Sequence, residues 1–234
     1  MANSNQTILV TGATGSNGIE ILKLLAARGI PVRAMVRDLS KSASIAQPNV
    51  EIVEGDFDRP ETLLAALNGV DRAFLLTNST DRAEAQQLAF VEAAHRSGVS
   101  HIVNLSQLHA NQNSPGRFLR YHAAVEAAIQ ASGMAYTFLR PNLYMQGLLN
   151  FCSTIKDNNV FYAAAGDAKV SLVDVRDIAA VAVAALTEAG HKGKIYDITG
   201  LQALTHTEMA EHLSTALGRA KYRTKNGKRE DELC

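Results

Sequence analysis

The sequence has no tryptophan, only two cysteines in 234 residues, and no excess of either charge. Cys152 and Cys234 lie too far apart to form a CxxC unit and are too few for a disulfide framework, which predicts a reducing compartment. Lys plus Arg and Asp plus Glu both total 23, so no net positive charge draws the chain to nucleic acid. We therefore expect no direct nucleic-acid partner.

Long hydrophobic runs are also missing. No apolar run approaches the ~20 residues that cross a bilayer, so we expect no membrane span. The polar residues 1–6 predict no signal peptide, and the chain is expected to be cytoplasmic, as a monomer or a homodimer. The histidines form no spaced ligand set, and we predict no metal site.

Short runs rich in β-branched residues alternate with segments of helical period. The strands are predicted at Thr7–Thr11, Val32–Val36, Val50–Glu54, Arg72–Thr77, Ile102–Leu105, Tyr136–Leu139, Val170–Val175 and Ile195–Thr199. The helices are predicted at Ile19–Ala27, Glu61–Leu67, Ala83–Arg96, Arg117–Ala131, Ile178–Leu186 and Glu208–Leu217. This alternation predicts the α/β class, with a doubly wound parallel sheet of the Rossmann type and strand order 3-2-1-4-5-6.

The pattern divides the chain into two parts. Residues 1–142 form the predicted dinucleotide-binding core. Residues 143–234 are expected to complete the sheet and to form a small C-terminal lobe on the substrate side, with a frayed charged tail from about residue 219.

In such a sheet, ligands bind beyond the carboxyl ends of the strands, an edge called the carboxyl edge below. The topology places these segments along it: Gly12–Gly18, Arg37, Asp56, Thr77–Thr80, Ser106–His109 and Pro141–Tyr144.

The loop Gly12-Ala13-Thr14-Gly15-Ser16-Asn17-Gly18 joins the first strand to the first helix. Gly12 permits the tight turn, Gly15 lets the backbone approach a diphosphate, and Gly18 lets the helix pack closely. The helix N-terminus offers free N–H groups to the phosphates. Although the spacing is GxxGxxG, the strand–loop–helix context predicts dinucleotide binding on Gly12, Thr14, Gly15, Ser16, Asn17 and Gly18.

The second predicted strand ends in Val36-Arg37-Asp38, where the cofactor is selected. An acid here binds the ribose 2′-hydroxyl of NAD, whereas an arginine accommodates the 2′-phosphate of NADP. Arg37, with Lys41 nearby, favours NADP(H) over NAD(H), and Arg33 has the parity to flank the same site. Two alternatives stay open: Asp38 takes the hydroxyl, or these cations are solvated surface residues.

A wider set of motifs carries a family resemblance: Thr11–Gly18, Val36-Arg37, Gly55-Asp56-Phe57-Asp58, Ser97-Gly98-Val99 and Ser132–Pro141, SGMAYTFLRP. With these, the chain resembles the NmrA-like family of atypical short-chain dehydrogenases/reductases from about Thr7 to Gly218, and within it the NADPH-dependent quinone oxidoreductase type. The resemblance implies an NADP(H)-binding Rossmann domain and a small substrate-side lobe, here shorter than in many members. It also implies that Asp56 and Phe57 lie near the adenine, and Thr77 and Asn78 on the adenosine side.

Typical short-chain dehydrogenases use a tyrosine and a lysine four residues apart on one helix face, with the phenol as general acid or base. None of the six tyrosines here has a lysine four positions later. In the family-like helix, His122 stands at the lysine position and Phe118 at the tyrosine position. Carbonyl reduction by the usual pair is therefore not expected, and its absence also argues against an epimerase.

A quinone needs less help from a dedicated acid than a simple ketone does, so we expect NADPH-dependent hydride transfer to a quinone or similar acceptor. Ser106 is predicted to donate to a carbonyl oxygen. His122 is predicted to hold the ribose hydroxyls or to donate a proton near neutral pH, and Tyr144 to line the pocket. Pro141, Ser106 and His122 are also counted among the cofactor-side residues.

Each of these three catalytic candidates has a structural alternative: a turn for Ser106, a half-buried histidine for His122 and a packing aromatic for Tyr144. The alternative hypothesis for the function of the chain is a non-catalytic NADP(H)-binding redox sensor that regulates a protein partner.

Overall fold

The computed structural model describes residues 7–162, 166–218 and 223–225. The strands are β1 Thr7–Val10, β2 Val32–Val36, β3 Val50–Glu54, β4 Val70–Leu75, β5 His101–Leu105, β6 Ala135–Pro141, β7 Val160–Tyr162, β8 Lys194–Ile198 and β9 Arg223–Lys225. The α-helices are α1 Ser16–Ala27, α2 Pro60–Leu67, α3 Ala83–Arg96, α4 Arg117–Ala131, α5 Cys152–Asn158, α6 Val175–Thr187 and α7 His206–Leu217. Two short 3-10 helices span Leu39–Ser44 and Met145–Phe151.

The first of two compact units contains the chain up to Pro141 together with Val175–Ile198. Its seven strands are all parallel, in the order β3-β2-β1-β4-β5-β6-β8. The predicted order 3-2-1-4-5-6 is confirmed, and β8 extends the sheet beside β6. The fold class is therefore the predicted doubly wound α/β sheet.

Helices cover both faces of this sheet because its central strands are apolar on both sides. On one face α2, α3 and α4 pack over a core that includes Leu67, Phe90 and Ile129. Helix α1 packs beside α6, whose alanine-rich surface permits close contact between the two. The sheet thus presents only its strand ends to ligands.

The second unit contains residues 142–174 and the chain from Thr199 onward. Its small core is formed by Ile155, Met209 and Ala210. Helix α7 begins at a capping box in which Thr205 and Glu208 bond each other's backbone N–H groups. This unit also contains the parallel pair β7–β9.

Two expectations for the second unit need correction. The predicted strand Val170–Val175 is wrong: Val170 and Val173 form isolated bridges only, and Val175 begins α6. The tail was expected to be frayed from about residue 219, but Arg223–Lys225 pair with β7 as β9. The other residues of this tail lie outside the described part of the chain. Among the described residues, no helix has the length and apolar content that crossing a membrane requires.

Candidate cofactor site

Two glycines of the loop after β1 occupy positions where a side chain does not fit. Gly12 has φ +61°, and a Cβ there would lie 3.2 Å from the Leu76 side chain. A Cβ on Gly18 would lie 2.3 Å from the carbonyl oxygen of Gly12. Gly18 therefore lets α1 pack closely, as expected, and the atoms that it approaches are the backbone of its own loop.

The start of α1 offers backbone N–H donors that have no acceptor within residues 7–162, 166–218 and 223–225. The first backbone bond of the helix runs from Ile19 N to Gly15 O, so the N–H groups of Ser16, Asn17 and Gly18 lie before the helical ladder. No side chain in the described part of the chain caps this end of the helix. The Asn17 side chain is buried, and its Oδ1 has no hydrogen-bond partner among the described residues. Free N–H groups, a helix N-terminus and an unpaired buried oxygen fit the diphosphate and hydroxyl groups of a dinucleotide.

Thr11 fixes this loop to the end of β4. Its buried hydroxyl donates to the carbonyl oxygens of Phe74 (3.1 Å) or Leu76 (3.0 Å) and accepts from the N–H of Leu76 (2.8 Å). The glycine loop therefore lies directly beside the chain that leads into Thr77 and Asn78. The side chains of Thr14 and Ser16 are exposed on this loop.

Two charged residues follow β2, and they differ in their contacts. Arg37 is exposed, and none of the described residues forms a hydrogen bond or ion pair with it. Asp38 accepts from the backbone N–H (3.0 Å) and hydroxyl (2.6 Å) of Ser40, and so caps the 3-10 helix that follows. Arg37 is thus available to an anion, while Asp38 already has a structural role.

The two other cations of this segment contribute less. Arg33 binds Glu51 (3.0 Å) and the carbonyl oxygens of Ala66 and Asn68 at the end of α2. The suggestion that it flanks the Arg37 site is wrong, because four residues along a strand separate the two by about 13 Å. Lys41 lies in the 3-10 helix, but its side chain is outside the described part of the structure.

Asp56 and Phe57 follow β3 in a well-bonded turn. The Asp56 carboxylate accepts from the N–H of Asp58 (3.0 Å) and lies 3.7 Å from the Arg59 guanidinium. The Phe57 ring packs against Phe90, with 5.8 Å between ring centroids. Both side chains are partly exposed at the carboxyl edge, and their contact with an adenine stays a prediction.

Thr77 and Asn78 follow β4 at the same edge. Thr77 is partly buried, and its hydroxyl accepts a hydrogen bond of 2.9 Å from Gln87 of α3. Asn78 is exposed, and its carbonyl oxygen accepts from the N–H of Thr80 (2.9 Å). Their predicted place on the adenosine side is compatible with this position.

Ser106, directly after β5, does not present a free donor. Its side chain is only 3% exposed, and its hydroxyl donates to the buried carboxylate of Glu126 at 2.5 Å. Arg140 binds both oxygens of Glu126, and this hydrogen bonding raises the pKa of Arg140. The predicted role of Ser106 as a donor to a substrate carbonyl is therefore not supported, because its proton is already used; its lone pairs are what it can offer.

His122 lies on α4 in contact with two aromatic rings. Its ring centroid is 4.9 Å from that of Phe118 and 4.1 Å from that of Tyr121. It is 5% exposed, and burial lowers its pKa to about 4, so it is neutral at pH 7. This contradicts the predicted role of His122 as a proton donor near neutral pH. Its Nδ1 has no hydrogen-bond partner among the described residues, which fits the other prediction, a bond to a ribose hydroxyl.

The last two predicted residues fall in different units. Pro141 ends β6 and is buried, and its carbonyl oxygen accepts from the Leu108 N–H and from Gln107 Nε2, both at 3.1 Å. Its contribution at this edge is therefore to hold the chain after β5. Tyr144 belongs to the second unit, where it bridges to Val173. Its predicted place beside the nicotinamide stays a prediction.

A family model confirms the resemblance read from the motifs. The model described as "NmrA-like family" matches residues 4–226. The chain belongs to the NmrA-like family.

Proteins similar to this chain include reductases. The chain is 41% identical over 212 residues to "NAD(P)H azoreductase" of Xenophilus azovorans, covering 91% of this chain and 74% of that protein. It is 32% identical over 216 residues to "Quinone oxidoreductase 2" of Escherichia coli, covering 91% and 75%. The crystal structure of Citrobacter sp. triphenylmethane reductase complexed with NADP(H) matches 97% of this chain and 81% of that chain at 30% identity, with a TM-score of 0.86.

The structure adds four polar residues that were not among the predicted site residues. They are Gln87, Asn104, Glu126 and Arg140, which are largely buried and bonded to predicted site residues or to each other. A signal for them was present in the sequence, since each is a polar residue at a position where the helical or strand pattern calls for an apolar one.

Proposed function

We propose that this chain is an NADPH-dependent oxidoreductase that transfers a hydride to a quinone or a similar conjugated acceptor. The observation that carries the cofactor choice is the free Arg37 at the end of β2, next to an Asp38 that caps the following helix. The crystallised Citrobacter relative was complexed with NADP(H), which supports the same choice. Because the Asp38 carboxylate already accepts two hydrogen bonds from Ser40, it is less able to accept one from a ribose hydroxyl.

Different groups of the chain bind different parts of the cofactor. The free N–H groups of Ser16, Asn17 and Gly18 bind the diphosphate at the N-terminus of α1. Arg37 binds the 2′-phosphate through charge-assisted hydrogen bonds. Asp56, Phe57, Thr77 and Asn78 line the adenosine side, as the family resemblance implies.

At the nicotinamide end, the protein supplies position and an apolar surface. When bound, NADPH supplies the hydride. The neutral His122 holds a ribose hydroxyl through its unpaired Nδ1, and Ser106 offers acceptor lone pairs. Phe118 is 39% exposed beside His122, where it offers apolar aromatic surface to a planar acceptor.

The acceptor class follows from the missing acid. The tyrosine–lysine pair is missing, His122 is neutral, and the Tyr121 phenol is 1% exposed, bonds Ser79 and has its pKa raised by burial, so α4 offers no accessible acid for a ketone oxygen at pH 7. A quinone takes its protons from water after reduction. The relatives are named for azo, quinone and triphenylmethane compounds, which are all conjugated acceptors, and this supports a small conjugated molecule as the substrate here.

The first experiment compares the two nicotinamide cofactors. Wild-type protein is expected to oxidise NADPH in the presence of a panel of benzoquinones and naphthoquinones, measured by the loss of absorbance of the reduced cofactor. Arg37→Met is expected to raise the Kd and KM for NADPH about 10- to 100-fold and to leave those for NADH within about twofold, since the lost interaction is one charge-assisted contact to the 2′-phosphate. Arg96→Met is the control: it removes another exposed arginine, in the last turn of α3.

The outcomes separate the candidate functions. The reductase is supported if the wild type turns over acceptors with NADPH in preference to NADH and if Arg37→Met loses this preference. Tight NADPH binding without turnover of any acceptor in the panel supports the redox sensor instead. Absence of any heat on titration of folded protein with NADPH and NADH would remove both.

A further inference from the structure

We propose that Gln87 and Asn104 are positioning residues that make the Thr77 hydroxyl a hydrogen-bond donor to the adenosine half of the bound dinucleotide. Asn104 Nδ2 lies 3.2 Å from Gln87 Oε1, and Gln87 Nε2 lies 2.9 Å from Thr77 Oγ1. The three side chains form a relay that runs from β5 through α3 to the carboxyl edge. This inference rests on the proposed function, because it assigns a role within the same cofactor site.

The inner two residues of the relay are buried, unlike polar side chains on the protein surface, which are hydrated. Asn104 is 0% exposed, in a strand whose five residues are all buried, and Gln87 is 1% exposed on the face of α3 that also carries Phe90 and Val91. Buried amides are costly unless they are hydrogen-bonded, and Asn104 Oδ1 has no partner among the described residues. Apolar residues at both positions would stabilise the core more, so packing alone does not account for this pair.

The orientation of the Asn104 amide sets the direction in which the hydrogen bonds of the relay are donated. Asn104 Nδ2 lies 3.5 Å from the carbonyl oxygen of Leu75, an atom that can only accept. The Asn104 amide group therefore faces β4 with its NH₂, and this NH₂ also donates to Gln87, which must present its Oε1. The Gln87 NH₂ is then left to donate to Thr77.

The last step concerns the proton of Thr77. Since its oxygen accepts from Gln87, the hydroxyl proton points elsewhere, and Thr77 is the one partly exposed member of the relay. Thr77 directly follows Leu76. The backbone of Leu76 is hydrogen-bonded to the hydroxyl of Thr11, the residue that precedes the glycine loop. Thr77 thus presents a donor to the site where the ribose and phosphate oxygens of the cofactor are placed by the proposed function.

The test measures binding, without turnover. Calorimetry is carried out on wild type, Gln87→Met, Thr77→Val and the double variant with NADPH and with 2′,5′-ADP, which carries only the adenosine half. Each single variant is expected to weaken both ligands about three- to tenfold, the loss of one hydrogen bond. The double variant is expected to bind no worse than Thr77→Val alone, because Gln87 acts through Thr77. Thr77→Ser keeps the hydroxyl and is expected to bind within about twofold of wild type.

The controls separate a positioning role from a structural one. Gln130→Met makes the same chemical change on α4, where Gln130 is exposed and bonds Tyr136, and is expected to leave both Kd values unchanged. In steady-state assays, Gln87→Met is expected to raise the KM for NADPH while kcat and the KM for the quinone stay constant. Should Gln87→Met not fold, Gln87→Leu is measured in its place, since it removes the same donor with another apolar side chain, and the same weakening is expected.

Three results would overturn the relay: unchanged Kd values in Gln87→Met, additive losses in the double variant, or Thr77→Ser binding as weakly as Thr77→Val. In each of these, wild-type binding of NADPH leaves the proposed function standing. No binding by wild-type protein would instead reject the proposed function, and the relay with it.

Discussion

Gly18 shows how strongly single positions constrain this site. The carbonyl oxygen of Gly12 would lie 2.3 Å from any Cβ added there, and neither atom can move away by a side-chain rotation. Gly15 has more room, since its nearest neighbour, the same oxygen, is 3.3 Å from an added Cβ. The three glycines of the loop are therefore not equivalent, and Gly18 is the one on which the geometry of the helix N-terminus depends most directly.

We therefore expect Gly18→Ala to destabilise the fold by about 2 kcal/mol, because overpacking against backbone forces α1 away from the loop. The urea midpoint measures the stability, and NADPH binding is expected to weaken in parallel. Gly116→Ala is the control, since a Cβ there has only an ordinary contact, 3.6 Å from Ser114 Oγ. An unchanged midpoint in Gly18→Ala would contradict the close packing.

At this scale the sequence predicts residue types better than environments. The glycine loop and Arg37 were found because their spacing after a strand has a direct chemical meaning. The pKa of His122 was not, because it depends on how deeply the ring is buried, and α4 buries this ring only when it packs in the fold. Parity along β2 suggested a shared site for Arg33 and Arg37, but parity gives the face of a strand and not the position along it.

At the scale of elements, one buried ion pair joins α4 to β6 beside the predicted nicotinamide side. Glu126 of α4 is bound by Arg140 of β6 and by Ser106 after β5, and its side chain is 7% exposed. Because removing one partner leaves the other charge partly buried, the pair holds these three elements in place more firmly than a surface pair would.

We expect Glu126→Gln to cost about 2–3 kcal/mol of unfolding free energy, at the lower end for buried pairs because the Arg140 side chain is 23% exposed. A double-mutant cycle with Arg140→Met measures the coupling between the two side chains. Glu20→Gln is the matched control, since it breaks the exposed pair with Lys23 and is expected to cost no more than about 0.5 kcal/mol. Equal effects of the two glutamate variants would contradict the special role of Glu126.

The elements themselves were largely predictable where their pattern was regular. The parallel strands up to β6 and helices α1–α4 were placed to within a few residues, because buried strands read as short apolar runs between turn residues. The pattern failed between residues 142 and 174, where the chain forms short elements such as the 3-10 helix Met145–Phe151, α5 and β7. Helices of one or two turns and a strand of three residues are too short for a helical or strand period to emerge.

At the scale of the whole molecule, two buried histidines couple folding to pH. His101 begins β5 and is 1% exposed, and His122 lies in α4. Burial lowers both pKa values to about 4; for His101, Arg72 and Lys192 lower it further, while Asp71 opposes them and His191 adds to the decrease. His101 is nonetheless well bonded when neutral, since its Nε2 lies 2.9 Å from Thr137 Oγ1.

The direction of the pH effect follows from these values. In the unfolded chain both histidines have a pKa near 6.5 and bind protons between about pH 6.5 and 4, whereas the folded protein does not. The unfolded state therefore binds more protons in this window, and stability falls as the pH is lowered through it. Each histidine contributes up to about 3 kcal/mol of this loss, which is complete at about pH 4. Glu208, whose pKa is lowered by its bonds to Thr205, acts in the same direction.

We expect the unfolding free energy, measured in urea from pH 8 to pH 4.5, to be flat above pH 7 and to decrease below it. His122→Gln removes one titrating group, so its slope between pH 6 and 4.5 is expected to be smaller by up to about 1.4 kcal/mol per pH unit, whatever its stability at pH 8. His95→Gln is the control, because His95 is exposed in the last turn of α3 and its loss is expected to leave the slope unchanged. A slope that is identical in wild type and His122→Gln would mean that His122 is not held neutral by burial, and α4 would then carry a titrating group at the carboxyl edge after all.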